Sequence, residues 1–240
     1  MDSIKRKTTR SKFYFIMGLV GLLAIFIGFS RPFIIPVSRG SFKAPATIYV
    51  HAFFSFSWVL LFTLQAYLIR SRKPKIHIRL GLLGIIIALG AAFSLIPVAK
   101  FIMERDLQLG MGDTAFSNSV GLLTTGVVFL ILVGFGLYYR RKPQVHKRLL
   151  LLATIVLLWP AWFRFRHFFP SVPRPDIWFG LILADSLIII AWLWDKVQHK
   201  KIHPVFLYAG IAIIMEQVFE VYMYDSMLWR EMGKVLYRAF

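Results

Sequence analysis

Hydrophobic residues run down this chain in seven long, nearly unbroken blocks, and polar residues gather in the short gaps between them. The blocks lie near residues 13–29, 46–69, 80–102, 117–139, 148–168, 177–195 and 204–229. Each is close to the ~20 apolar residues that an α-helix needs to cross a hydrocarbon layer ~30 Å thick. The apolar character is continuous, whereas a strand of a membrane barrel would alternate with period two. The pattern predicts an all-α, polytopic membrane bundle of seven transmembrane helices. It forms a single domain over residues 13–240, after a short basic tail at 1–12. No gap is long enough for a soluble domain. The first block follows that tail as a secretory signal would, but it runs into Ser30-Arg31-Pro32 without a small-residue cleavage site and reads as a retained anchor. Pro97 and Pro160 sit late in their blocks and predict kinks near one face. Composition agrees with the pattern: 58% of residues are hydrophobic and mean hydropathy is +0.67, well above a soluble domain.

Charge adds an orientation. The net charge is +18, and its placement matters more than its size. The tail, and the gaps after blocks two, four and six, together hold 18 Lys and Arg, against 11 on the other side. By the positive-inside rule the N-terminus is expected in the cytoplasm and the C-terminus outside. The cytoplasmic loops would rest on anionic headgroups of the lipid bilayer. Cations spread in this way among loops argue against a nucleic-acid partner, and the sequence names no protein partner. Cysteine is absent, which removes disulfides, thiolate metal ligands and a thiol nucleophile.

The basic gaps carry an internal repeat. Residues 72–80 read RKPKIHIRL and residues 141–149 read RKPQVHKRL, identical at six of nine positions. Lys201-Ile202-His203 is a fainter third copy of Lys75-Ile76-His77. Each copy precedes an outbound helix, so the chain is expected to be one helix followed by three hairpins of the same orientation. His77, His146 and His203 fall at one depth, as interfacial residues beside helix starts.

Ionisable residues inside a span cost about 2.5–3.5 kcal/mol each and call for a reason. His51 lies near the outer start of block two, Arg164 near the outer end of block five and Asp185 near the middle of block six. Glu216 and Glu220 lie one turn apart on a single face of block seven. At a rise of about 1.5 Å per residue all five fall in the middle to outer half of the bilayer. Were blocks two, five, six and seven neighbours, these residues would line one outward-facing acidic pocket. Arg166 and His167 follow Arg164 directly, and Trp58 and Gln65 extend the His51 stripe at seven-residue spacing.

Three chemistries use these residues differently. A ligand-binding or transport-like protein would use Asp185 and Glu216 as proton acceptors and Arg164 to hold an anionic group. A metal-dependent membrane hydrolase would take a divalent ion on His51, Asp185, Glu216 and Glu220, leaving one position for water. A haem protein would need paired axial histidines on facing helices, and His51 with His167 is the only outer-side pair, which ranks haem third. A purely structural role would have the acids salt-bridged or facing another subunit. The transport-like reading is preferred, with the metal enzyme as its alternative.

The stretches His51 with Trp58 and Gln65, RKPKIHIRLGLLG at 72–84, HKRLLLLATIVLLWPAWFR at 146–164 and KIHPVFLYAG at 201–210 resemble a family of uncharacterised bacterial multi-span membrane proteins. The resemblance covers most of the chain and implies a location in the bacterial inner membrane. A looser likeness leads to seven-span hydrolases of the alkaline ceramidase and progestin-receptor type, which use a three-His zinc site. Here His51 alone has a comparable position, and block seven holds no paired His.

Overall fold

The computed structural model describes residues 12–239. Lys5, Arg6, Lys7 and Arg10 of the basic tail lie outside them. Among the described residues there is no strand. Seven helices are long and apolar enough to cross a membrane: α1 (Phe13–Ser38), α2 (Ala46–Arg70), α3 (Pro74–Gln108), α4 (Thr114–Arg141), α5 (Pro143–His167), α6 (Asp176–His199) and α7 (Val205–Met223). An eighth helix, α8, spans Met227–Ala239. The all-α, seven-span architecture is that of a multi-pass membrane protein.

Helix ends depart from the hydropathy blocks for local reasons. Pro74 and Pro143 sit in the first turns of α3 and α5, where a missing N–H costs nothing. The preceding lysines share φ, −109° at Lys73 and −110° at Lys142, while ψ is 58° at the first and 85° at the second. The two RKP segments therefore start their helices alike, several residues earlier than the apolar blocks do. Block seven, expected to run unbroken over 204–229, is divided instead. Tyr224 turns extended (ψ 130°) and Asp225 adopts a left-handed φ of 62°, which ends α7 and lets α8 fold back. The α3 helix breaks at Ser94, well inside its length. Pro97 offers no N–H to the carbonyl four residues back, and the hydroxyl of Ser94 donates to Ala91 O at 3.0 Å. Around Pro160, by contrast, α5 stays helical to Phe163 and then tightens into a single turn over Arg164–His167.

At the centre of the bundle stands α5. It packs on α1, α2, α4, α6 and α7. Its apolar stretch is 61% buried, against 22–39% in the other spans, which singles it out as the core helix. Leu151, Leu152, Ile155 and Leu158 bury fully against Val59, Phe129 and Ile188 from its neighbours. The outer helices close a ring around it. Phe13 of α1 stacks on Trp194 of α6 with ring centroids 4.3 Å apart, and Glu220 of α7 reaches Thr124 of α4. Their outward faces expose large apolar residues such as Ile78, Leu82, Ile86 and Phe135, as a lipid-facing surface requires.

Candidate functional site

One end of the bundle collects the starts of α1, α3, α5 and α7 and is rich in cations; the five in-span residues named above lie toward the other end. The contacts made by those five fall into two sets. The first is acidic. Asp185 of α6 is buried, and its Oδ1 has no hydrogen-bond partner. Glu216 and Glu220 of α7 lie close enough for their carboxyls to interact, and the Thr124 hydroxyl of α4 donates to Glu220 Oε1. Glu216 Oε1 and the neighbouring Gln217 Oε1 are buried without partners. Asp185 lies within electrostatic range of Glu216. Space for the cluster comes from Gly121, where a Cβ would stand 3.0 Å from Glu220 Oε2. Among the described residues none of these three carboxyls forms an ion pair.

A polar layer lies one helical turn further out. Tyr224 donates its hydroxyl to Asn118 Oδ1 at 2.6 Å, and Asn118 donates its amide to Asp106 Oδ2 at 2.7 Å. Arg105 completes the layer with two bonds to Asp106 Oδ1, at 2.7 and 2.8 Å. This links α3, α4 and the α7–α8 turn on the outer side of the acids.

The second group is basic and lies among α1, α2, α3 and α5. His51 sits against the break in α3, with Nδ1 2.9 Å from Ser94 Oγ and Nε2 3.3 Å from Ser55 Oγ. Since the Ser94 hydroxyl proton goes to Ala91, His51 donates from Nδ1 and accepts at Nε2. Arg164 donates to Pro160 O at 2.8 Å and lies over the Phe29 ring, 4.2 Å from its centroid. Arg164 forms no ion pair with any of the three acids. Each group therefore has its own partners. Among the described residues, no three His, Asp or Glu side chains come together as a metal-ligand set.

At the cation-rich end, the rings of His77 and His146 meet edge to face with centroids 6.5 Å apart. His146 donates from Nδ1 to Gly136 O at 2.7 Å, and Gln65 donates to His77 O at 3.0 Å. His203 stands apart from them. Its Nδ1 accepts from Val205 N–H at 3.2 Å, capping the start of α7, and its own N–H donates to Asp195 Oδ2 at 3.0 Å.

Asp195 was invisible to the sequence reading, and Arg148 was misplaced by it. Arg148, read as a loop cation, is a core residue, because α5 starts at Pro143 and carries it more than a turn inside. Its Nε and Nη2 donate to the two oxygens of Asp195 at 3.0 and 2.5 Å. The pair is 1% and 0% exposed. Nη1 bonds Gln144 O and Oε1, both at 2.8 Å, so the guanidinium is paired on every side. One signal could have found the pair: Asp195 is the only acid in the cation-rich half of the described chain.

No protein family, no curated protein and no solved structure matches this chain.

Proposed function

We propose that this is a ligand-binding or transport-like membrane protein in which Asp185, Glu216 and Glu220 take up and release a proton or small cation. The observation that carries the reading is the pair of buried, unpartnered carboxyl oxygens on Asp185 and Glu216 beside Glu220, with no ion pair to any of the three among the described residues. Carboxyls held this way in a span exchange charge with a mobile partner more readily than those locked to an arginine. His51 and Arg164 are the ligand-side candidates, each held by contacts of its own. A metal-dependent hydrolase would need His51 beside the acids; its bonds to Ser94 and Ser55 favour the proton or cation reading. The charge asymmetry supports an N-terminus in the cytoplasm of a bacterial inner membrane, with basic loops on anionic headgroups. The alike starts of α3 and α5 support descent from repeated hairpins.

Infrared difference spectroscopy between acidic and alkaline pH tests the acid group. The expected result is a protonated-carboxyl band in the wild type that weakens in Glu216→Gln and in Glu220→Gln. A wild type without such a band sinks the proton reading. Elemental analysis of the same samples decides the alternative: stoichiometric divalent metal, lost when Asp185, Glu216 and Glu220 are all amides, would replace it with a metal site.

A further inference from the structure

The arginines at the outer ends of α1 and α5 are unlike the other partnered arginines of this chain. Arg105 pairs with Asp106, Arg148 with Asp195, Arg174 with Asp176 and Arg230 with Asp225. Among the described residues Arg31, Arg164 and Arg166 form no ion pair, although all three lie within electrostatic range of His167. What holds them is aromatic and backbone. Arg31 lies 4.4 Å over the Phe168 ring and donates to His167 O at 2.5 Å. Arg166 lies 3.9 Å over the Phe163 ring and donates to Phe163 O at 3.3 Å. Arg164 uses Phe29 and Pro160 O in the same way.

Capping the last carbonyls of α5 explains part of this, since cations stabilise a helix C-terminus. It uses one N–H of Arg164 and one of Arg166, and each guanidinium carries five. Stacking on rings fixes the planes and leaves their edges free to donate. Three like charges gathered at a protein–lipid boundary repel one another unless an anion joins them. An oxyanion with several oxygens on one centre can take donors from more than one guanidinium, which a single carboxylate does poorly.

We propose that Arg31, Arg164 and Arg166 form a binding site for a phosphate-bearing group. The site deepens the ligand-binding reading at Arg164 and is independent of the acid group. The group is either a free phosphate-containing anion or the headgroup of an anionic phospholipid, and the two sources share this chemistry.

The test uses the full-length protein in a non-ionic detergent at low salt, titrated with inorganic phosphate and followed by thermal unfolding. In parallel, native mass spectrometry follows protein released from nanodiscs of phosphatidylglycerol and phosphatidylcholine. Stabilisation by phosphate that saturates and fades with added salt identifies a free anion. Selective retention of phosphatidylglycerol identifies a headgroup. Either should weaken about 10-fold or more in Arg164→Gln/Arg166→Gln, the loss expected for charge-assisted hydrogen bonds. The exposed Arg31→Gln should weaken it less, and serves if the double variant does not fold. A wild type that shows neither phosphate stabilisation nor selective lipid retention overturns the site without recourse to any variant. So does binding that is unchanged in a folded variant. Glu216→Gln should bind phosphate like the wild type. Failure of the acid reading thus shows in the infrared band alone, and failure of this one in phosphate and lipid binding alone.

Discussion

Arg148 and Asp195 are the most demanding residues in the molecule, because both charges leave water completely. Two charges buried together are tolerable only with good geometry and few unused donors, and here four of the five guanidinium N–H groups are bonded. Removing one partner strands the other. Arg148→Met and Asp195→Leu should each lower unfolding stability by about 3–5 kcal/mol, whereas the double replacement should recover most of that loss. A double-mutant cycle of denaturant unfolding in detergent checks it; equal losses in singles and double would show that the pair is not the source. His203 makes a second, pH-dependent claim. Burial comes first, and the Arg148 charge second, in holding its pKa below the usual 6.5. The folded protein then keeps His203 neutral at pH values where the unfolded chain has begun to bind a proton. Stability should fall as pH drops through 6.5 and level off below the folded pKa. His203→Asn keeps an acceptor for Val205 N–H without a titrating ring, so its melting temperature should show a shallower slope between about pH 5 and 7.5. An unchanged slope would assign it to other groups. At this scale the sequence was partly legible. The carboxyls stood out because a charge inside an apolar block is visible in one dimension. Arg148 did not, since it lies at a block's edge, and only the helix start at Pro143 reveals that the edge is buried.

Helix contacts turn on a few close approaches. Where α8 crosses α4, a Cβ on Gly233 would run into the carbonyl of Phe116. Nearby, Trp229 is buried and meets Phe219 of α7 edge to face, with centroids 5.8 Å apart, and Lys234 pairs with Asp113 at 2.8 Å. Any larger residue at 233 must lift α8 off the bundle. Gly233→Leu should free the helix, seen as rapid tryptic cleavage at Arg230 and Lys234 under conditions where the wild type resists. Resistance equal to the wild type would mean that α8 adapts in place. The split between α7 and α8 was not readable from hydropathy, because Met227, Leu228 and Trp229 continue the apolar run past a two-residue polar interruption. Only the amphipathic spacing of Arg230, Glu231, Lys234 and Arg238 on one arc separates a surface helix from the end of a span. The break in α3 was half legible: Pro97 announces it, but the bend falls at Ser94, where His51 meets the freed backbone.

For the molecule as a whole, the hydropathy pattern was enough to give seven spans, since the bilayer imposes length and continuity on each. It could not say which helix is central. Ring order depends on side-chain fit across helices, and α5 takes the centre with a sequence no more apolar than its neighbours. For that reason the partners that the five in-span polar residues take from neighbouring helices were not legible in the hydropathy pattern. Membrane orientation decides what those groups meet. The cation count predicts that the loop at Lys142 is cytoplasmic and the loop at Gly110 is external; both residues are exposed. The chain has no native cysteine, so Lys142→Cys and Gly110→Cys can be labelled singly without background. An impermeant maleimide on intact cells should modify Gly110→Cys and spare Lys142→Cys until the membrane is opened. The reverse pattern would invert the protein and move Arg31, Arg164 and Arg166 to the cytoplasmic leaflet. There anionic headgroups would already be concentrated against them, and a lipid would become the stronger occupant. In the predicted orientation the same arginines face the outside, where a soluble phosphate-bearing anion can reach them without crossing the bilayer.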